Sequence, residues 1–204
     1  MEKMLLSLVL LGVVASPQSP SMVTPGAVIS QPDLQQPLGK EWSVAKGTWT
    51  ATDGVLIVHA LPEQHHIPVL HLATGPVDLI WECEFQVGSK QSFLVGCDGL
   101  KHVGRVIITP TSIAIAESSP DPATGKPGNH ILSKQVVDLK PGQWQHLRVE
   151  YAGDEIAARL NDIALQGQHP YLATPKKQWW FAASEGVQIR NIRVTAANAK
   201  PVPK

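Results

Sequence analysis

Hydrophobic and polar side chains alternate along most of the chain between residues 40 and 195. The alternation is clearest in residues 78–87, where five apolar side chains share one face of an extended segment: Leu79, Trp81, Cys83, Phe85 and Val87. A period of two is the pattern of a strand that is buried on one face. Similar segments predict further strands at 55–59, 69–72, 93–97, 103–109, 112–117, 131–138, 145–151, 155–160, 179–183 and 187–195.

Turn-forming residues separate nearly all of the predicted strands, as at Asp53-Gly54 and Pro141-Gly142. The chain contains 16 glycines and 17 prolines, and no segment has the sustained apolar period of 3.6 that marks an amphipathic helix. About eleven short strands joined by turns are typical of an antiparallel β-sandwich or β-barrel. The pattern therefore predicts an all-β protein.

Two local features lie outside this regular pattern. Trp42 and Trp49 are expected to belong to a short first hairpin that closes the core. The longest interruption, at residues 118–129, is rich in proline and glycine, and it is predicted to be a surface loop. Surface loops of this kind can carry function.

The first residues have the pattern of a secretory signal peptide. An apolar run from Met4 to Val14 is interrupted only by Ser7 and Gly12, and it precedes a small-residue cleavage position after Ala15. The alternative is a transmembrane anchor, but an apolar run of roughly 11 residues is shorter than the ~20 that span a bilayer. We therefore expect an exported protein, periplasmic or extracellular, with no transmembrane anchor.

Composition then divides the chain into four parts. Residues 16–37 and 196–204 contain prolines and few large apolar groups, so both are expected to be flexible. The predicted order is a signal peptide, a flexible leader, one folded domain and a flexible tail, at residues 1–15, 16–37, 38–195 and 196–204.

The charge balance and the motifs exclude several kinds of partner. The 17 basic and 17 acidic side chains cancel, which excludes a strongly basic nucleic-acid-binding protein. The sequence has no glycine-rich phosphate loop, no Gly-x-Ser-x-Gly elbow, no Cys-x-x-Cys pair and no EF-hand loop. We expect no nucleic-acid partner, no metal site and no bound cofactor.

The two cysteines lie on the apolar faces of consecutive predicted strands. A turn centred near residues 89–90 would place Cys83 opposite Cys97 in a hairpin. In an oxidising compartment they could form a cross-strand disulfide, and the alternative is two buried thiols that pack as small hydrophobic groups. Neither is a good nucleophile, because apolar burial raises a thiol pKa.

The order of the strand sequences resembles a known family. Its motifs are LGKEW (38–42), GTW (47–49), DGVL (53–56), LKPGQWQHLRVE (139–150), GDEI (153–156), Asn161 and VQIRNIRV (187–194). Together they resemble the 3-keto-disaccharide hydrolase-like group, which is similar to laminin G-like and family-16 glycoside hydrolase sandwiches. The resemblance covers residues 38–195. It implies a concanavalin A-like jelly roll of two antiparallel sheets and carbohydrate as the ligand class.

A catalytic motif does not accompany this resemblance. Family-16 glycosidases carry Glu-x-Asp-x-(x)-Glu on one strand, and this pattern is missing here. The nearest approach is Glu82-Cys83-Glu84, whose two carboxylates share one face of a strand about 6.5–7 Å apart. That spacing is compatible with a pair of carboxylates that act as general acid and general base, and the alternative is a solvated polar face. Glu82 and Glu84 are therefore weak catalytic candidates.

Several histidines and an arginine are candidates for binding a ligand. His65 and His71 would share a face of an extended segment, but a metal site needs a third ligand at a recognised spacing. His102 and Arg105 flank the start of a predicted strand and could bind hydroxyls or a carboxylate. Structural or solvated positions are the alternative for all four.

Two further strands place polar or aromatic groups on their outer faces. His146 and Arg148 point outward together on the strand at 145–151 and could bind a sugar, and the alternative is that they belong to a solvated face. In the pair Trp179-Trp180 successive side chains point to opposite faces, and Trp179 is in phase with the inward Phe181. Trp180 is therefore expected to be exposed, where it could stack on a sugar ring, cover the sandwich edge or contact another chain.

Two functions are consistent with these features. One is an exported carbohydrate-active domain that resembles 3-keto-disaccharide hydrolases, and the other is a non-catalytic module of the cell envelope that binds a glycan or a protein. Calcium occurs in some similar sandwiches, but no compact group of Asp and Asn residues marks a site here. A carbohydrate ligand is the expected partner, and a protein partner is the alternative.

Overall fold

The computed structural model describes residues 21–75 and 78–199. Within them the chain forms fifteen strands, which are β1 (Val23–Ser30), β2 (Trp42–Lys46), β3 (Thr48–Thr52), β4 (Val55–His59), β5 (Val69–Leu72), β6 (Leu79–Gln86), β7 (Phe93–Asp98), β8 (His102–Thr109), β9 (Ser112–Glu117), β10 (His130–Val136), β11 (Gln145–Ala152), β12 (Glu155–Leu160), β13 (Ile163–Gln168), β14 (Gln178–Ala183) and β15 (Gln188–Ala199). Two short 3-10 helices occupy Pro62–Gln64 and Pro170–Ala173. The signal peptide predicted for residues 1–15 lies outside the described residues.

The strands form two antiparallel sheets. Sheet A has the order β13-β12-β11-β6-β15-β4-β3, and β1 pairs with β15 beside it. Sheet B has the order β10-β9-β8-β7-β14-β5-β2. The two sheets build a jelly-roll sandwich, which confirms the predicted fold class.

The core lies between the inward faces of the two sheets. Trp81 of sheet A packs against Phe181 of sheet B with ring centroids 4.6 Å apart, and Tyr151 meets Trp179 at 4.7 Å. These side chains are almost fully buried, as the period-two alternation predicted. Trp42 and Trp49 also lie in the core, but their expected hairpin is wrong, because β2 belongs to sheet B and β3 to sheet A.

The expectation of a flexible leader at residues 16–37 is wrong for the part that forms β1. Val23–Ser30 pairs with the second half of β15, and this pairing extends β15 to Ala199, inside the predicted flexible tail. Only the two end residues of β1 are buried, so the strand lacks the apolar alternation that would reveal it. Its proline, Pro25, is compatible with an edge strand.

A buried carboxylate holds the start of β1. Glu150 on β11 accepts hydrogen bonds from the backbone N–H of Met22 at 2.6 Å and of Val23 at 3.2 Å, and also from the Ser21 hydroxyl. Arg148 donates to the same carboxylate at 2.7 Å. Glu150 is on the outward face of β11, yet it is buried because residues 21–23 cover it.

The expected hairpin between the two cysteines is also wrong. Cys83 lies on β6 in sheet A and Cys97 on β7 in sheet B, and both are free, buried thiols. Two consecutive strands with apolar inward faces can pair with each other or cross the sandwich, and the alternation is the same in both cases. The alternative of two buried thiols therefore describes the structure.

The burial of these thiols predicts low reactivity. Burial raises the pKa of Cys97 to about 12 and raises that of Cys83 still further. We expect a maleimide to add to neither thiol of the folded protein, and to both once guanidinium unfolds it without any reductant. Intact mass spectrometry measures the added mass. A failure to label unfolded protein would reveal a disulfide and contradict this prediction.

Candidate functional site

A row of paired residues crosses the outer face of sheet B. His71 on β5 pairs with Trp180 on β14, which pairs with Gly96 on β7, and Gly96 pairs with Arg105 on β8. Side chains of directly paired residues point to the same face of a sheet. His71, Trp180 and Arg105 therefore project together, although they are distant in sequence.

Trp180 lies on the outer face as its phase predicted, but the expectation that it is exposed is wrong. Only 5% of the residue is accessible to solvent, because its ring packs over Gly96 and the His102 ring packs against it with centroids 5.7 Å apart. A Cβ atom at Gly96 would be 2.3 Å from Cζ2 of the indole, so only glycine fits beneath the ring. Trp180 consequently forms part of the floor of the site and is not a freely exposed ring.

Asp98 connects the tryptophan to a histidine. Its Oδ1 accepts a hydrogen bond from Nε1 of Trp180 at 2.8 Å and lies 2.7 Å from Nδ1 of His102. Burial by itself would raise the pKa of Asp98, but the hydrogen bonds from His102 and Trp180 outweigh it and lower that pKa. Asp98 is therefore an ionised hydrogen-bond acceptor whose carboxylate is partly shielded from solvent.

Arg105 is held by the two ends of the long loop. One terminal guanidinium nitrogen donates to Oγ of Ser118 and the other to Oδ1 of Asn129, each at 2.7 Å. Burial lowers the pKa of Arg105, and the charge of Asp98 only partly opposes this effect. In the described part of the chain no carboxylate forms an ion pair with Arg105.

These groups line a cleft of about 400 Å³. Its apolar floor includes Val69, Leu94 and Ala182, and one wall is formed by Ala45, Lys46, His66 and Ile67. His71 also faces it, and burial lowers the pKa of that imidazole while Asp98 opposes the shift. The cleft thus combines a hydrophobic floor with a few converging polar groups, as small-molecule sites usually do.

The structure brings four of the predicted binding residues into this cleft: His71, His102, Arg105 and Trp180. His65 is not among the lining residues. It directly follows the first 3-10 helix and has a φ of 47°. Its neighbour His66 faces the cleft instead. Asp98, Lys46 and Gly96 were missed. Asp98-Gly99 has the pattern of an ordinary turn, which also accounts for the nearby Gly96, and Lys46 belongs to no motif.

The other predicted site residues lie on the outer face of sheet A, on the opposite side of the sandwich. Arg148 pairs with Glu82 and His146 with Glu84 across β11 and β6. Arg148 lies 2.6 Å from Glu82, and Arg190 lies 2.7 Å from Glu84. Both carboxylates are therefore held in ion pairs, and neither meets the cleft of sheet B.

The described ranges contain neither a metal-binding cluster nor a membrane-spanning helix. Within residues 21–75 and 78–199, no group of three or more His, Cys, Asp or Glu side chains is arranged to hold a metal ion. In the same ranges, no helix has the length and apolar character needed to cross a membrane.

Sequence comparisons give no relative, since no protein-family model and no curated protein matches the chain. Solved structures do match. A Bacillus subtilis protein of unknown function with a galectin-like fold has a TM-score of 0.63 and 10% identity, over 88% of this chain and 100% of that one.

Two further structures agree with this match. A candidate glycosyl hydrolase from Parabacteroides distasonis has a TM-score of 0.52 and 14% identity, over 76% of this chain and 88% of that one. A sialidase has a TM-score of 0.56 and 8% identity over 76% of this chain, which spans only 17% of the sialidase chain. At these identities the likeness establishes the fold: this chain is a galectin-like, concanavalin A-like jelly-roll sandwich.

Proposed function

We propose that the chain binds a saccharide in the cleft on the outer face of sheet B. The observation that carries this proposal is the arrangement of Trp180, Asp98 and Arg105 around one cleft. Sugars present apolar C–H faces and many hydroxyls, so their binding sites need a hydrophobic surface together with converging donors and acceptors.

The polar groups of the cleft have the capacity to bind hydroxyls. The hydrogen bonds to Asp98 within the described residues both use Oδ1, which leaves Oδ2 as an acceptor. Arg105 uses two of its five N–H donors on Ser118 and Asn129. A charged acceptor and a charged donor on one face suit adjacent hydroxyls, because hydrogen bonds to charged groups are the strong ones.

The structural neighbours support this proposal without deciding it. One matched structure is named as a candidate glycosyl hydrolase and another as a sialidase. A similar sandwich therefore occurs in proteins whose names describe carbohydrate-active enzymes. A fold does not by itself specify a function.

Replacing Asp98 with asparagine tests the proposal. A glycan array and then isothermal titration calorimetry would identify a saccharide ligand of the natural protein. We expect Asp98→Asn to weaken its binding by about 10-fold or more, because an ionised acceptor is lost while the shape is kept. Asp138→Asn is the matched control, because Asp138 is exposed and, among the described residues, its ion pair is with Lys140. Equal binding by Asp98→Asn, or no saccharide ligand at all, would contradict the proposal.

A second candidate function is hydrolysis of the bound sugar, including a 3-keto-disaccharide. Nδ1 of His102 lies 2.7 Å from Asp98, and 57% of the His102 side chain is exposed. In many enzymes the general base is an imidazole that a neighbouring carboxylate orients in this way. Product release by the natural protein that is lost in His102→Gln would support hydrolysis, and binding without turnover would exclude it.

Export is part of the same proposal. The apolar run that ends before Ala15 motivates it. The N-terminal residue of mature protein from its native cells measures it, and we expect Ser16. Mature protein that retains residues 1–15 would contradict export by cleavage.

A further inference from the structure

The arginines of the two sheets differ in how their charges are balanced. On sheet A, Arg148 pairs with Glu82 at 2.6 Å and with Glu150 at 2.7 Å, while Arg190 pairs with Glu84 at 2.7 Å. On sheet B, Arg105 is half-buried and hydrogen-bonds two neutral oxygens. Among residues 21–75 and 78–199, it forms no ion pair.

A half-buried cation without an anion is costly, because the charge has lost part of its hydration. Asp98 is the carboxylate whose charge affects Arg105 most, and its Oδ1 is already engaged by His102 and Trp180. Burial correspondingly lowers the pKa of Arg105. Arg105 uses two of its five guanidinium donors on described residues, and it lines the cleft, so an incoming anion could balance the charge.

Besides Arg105, the cleft contains a second permanently cationic side chain. Lys46 stands at the wall, where it pairs in register with Val69, and no salt bridge in the described part of the chain involves it. Asp98 is the one carboxylate among the described lining residues. The electrostatic potential of the cleft therefore favours an anion.

The arrangement of the strands determines where the anionic group of a bound ligand would lie. Trp180 and Arg105 are separated by two strand intervals, about 10 Å between their backbones, with Gly96 between them. Since the indole covers Gly96, the floor continues from β14 towards the arginine without a side chain of β7 in the way. A sugar ring over this floor would direct an exocyclic group at Arg105.

We propose that the cleft selects acidic saccharides and that Arg105 binds the carboxylate of a uronic acid residue. This inference rests on the proposed saccharide binding and names its substrate class. A guanidinium matches the planar carboxylate with paired N–H donors.

The test compares matched ligands. Uronic acid oligosaccharides of gluco, galacto, manno and gulo configuration are titrated beside their carboxyl-reduced forms and beside sulfated neutral oligosaccharides. We expect at least one uronate to bind about 10-fold or more tightly than its reduced form, because a charge-assisted hydrogen bond is lost on reduction. Tighter binding of the sulfated ligands would overturn the carboxylate assignment. Equal binding of acidic and reduced forms would overturn the inference and leave saccharide binding intact, whereas no binding of either would overturn saccharide binding as well.

Variants of the natural protein assign the effect to Arg105. We expect Arg105→Met to lose the preference for the acid and to bind the reduced form more weakly than the natural protein does, because Arg105 also donates to hydroxyls, and Arg105→Lys to keep a part of that preference. Arg193→Met is the matched control, because Arg193 lies on β15 in sheet A. A preference for the acid that survives in Arg105→Met would overturn the role of this residue. Urea denaturation reports whether the variant is still folded as the natural protein is.

Discussion

Trp180→Ala is expected to abolish saccharide binding and to lower the free energy of unfolding by about 3 kcal/mol. The indole is 95% buried even though it lies on an outer sheet face, since 5% of the residue is accessible. Its loss would leave a cavity over Gly96 and remove the N–H donor that holds Asp98 at 2.8 Å. Calorimetric titration measures the binding, and urea denaturation measures the stability.

Two other variants separate binding from stability in this experiment. Trp180→Phe keeps an aromatic floor but has no donor for Asp98, so we expect weaker binding with a smaller loss of stability. Trp144→Ala removes a partly buried indole that lies under Arg190 at 4.0 Å, outside the cleft, and should bind the ligand normally. A folded Trp180→Ala protein with natural affinity would contradict the assigned site.

Glu150→Ala is expected to lower the free energy of unfolding by about 3–5 kcal/mol, the cost of breaking a buried ion pair on one side. The carboxylate accepts hydrogen bonds from Met22, Val23 and Arg148. Its removal leaves these donors without an acceptor and frees the start of β1. Urea denaturation measures the stability, and amide hydrogen exchange should show faster exchange in β1 than in β8.

The pH dependence of this effect has a definite sign. Burial alone would raise the pKa of Glu150, but hydrogen bonds from Ser21 and Arg148 lower it below the ordinary value of about 4.3. Stability from Glu150 is therefore complete above that value and is lost as the pH falls through the lower folded pKa. The difference between the natural protein and Glu150→Ala should shrink in acid.

A surface ion pair gives the control for the Glu150 prediction. Lys140 and Asp138 are both exposed and lie 2.5 Å apart, and exposed pairs contribute under about 1 kcal/mol. Lys140→Ala should consequently change stability little. An equally small effect of Glu150→Ala would show that the carboxylate does not anchor β1.

The sequence predicted the strands better than it predicted their partners. Period-two alternation reports which face of a segment is buried, so β6 and β7 were placed correctly along the chain. It does not report which sheet a strand joins, and this is why the hairpin expected between Cys83 and Cys97 was wrong. Strand β1 escaped notice for a related reason, because its middle residues stay in contact with solvent.

The candidate site could be predicted in part for the same physical reason. Residue types that bind ligands identified His71, His102, Arg105 and Trp180. Their convergence depends on the order β8-β7-β14-β5, which joins segments that are distant in sequence. A local sequence pattern does not contain that strand order. From the sequence alone, the outward-facing residues of sheet A were therefore as good candidates for the site as those of sheet B.

The indole N–H resonance of Trp180 gives the most direct test of saccharide binding in the cleft. The chain has 6 tryptophans, and Trp180→Phe identifies this resonance in a nitrogen-proton correlation spectrum by its disappearance. Since Nε1 donates to Asp98 at 2.8 Å, a ligand at Asp98 must change its environment. Saturating saccharide should shift the Trp180 resonance and leave that of Trp144 in place. A bound saccharide that leaves the Trp180 resonance unmoved would contradict the assignment of the cleft.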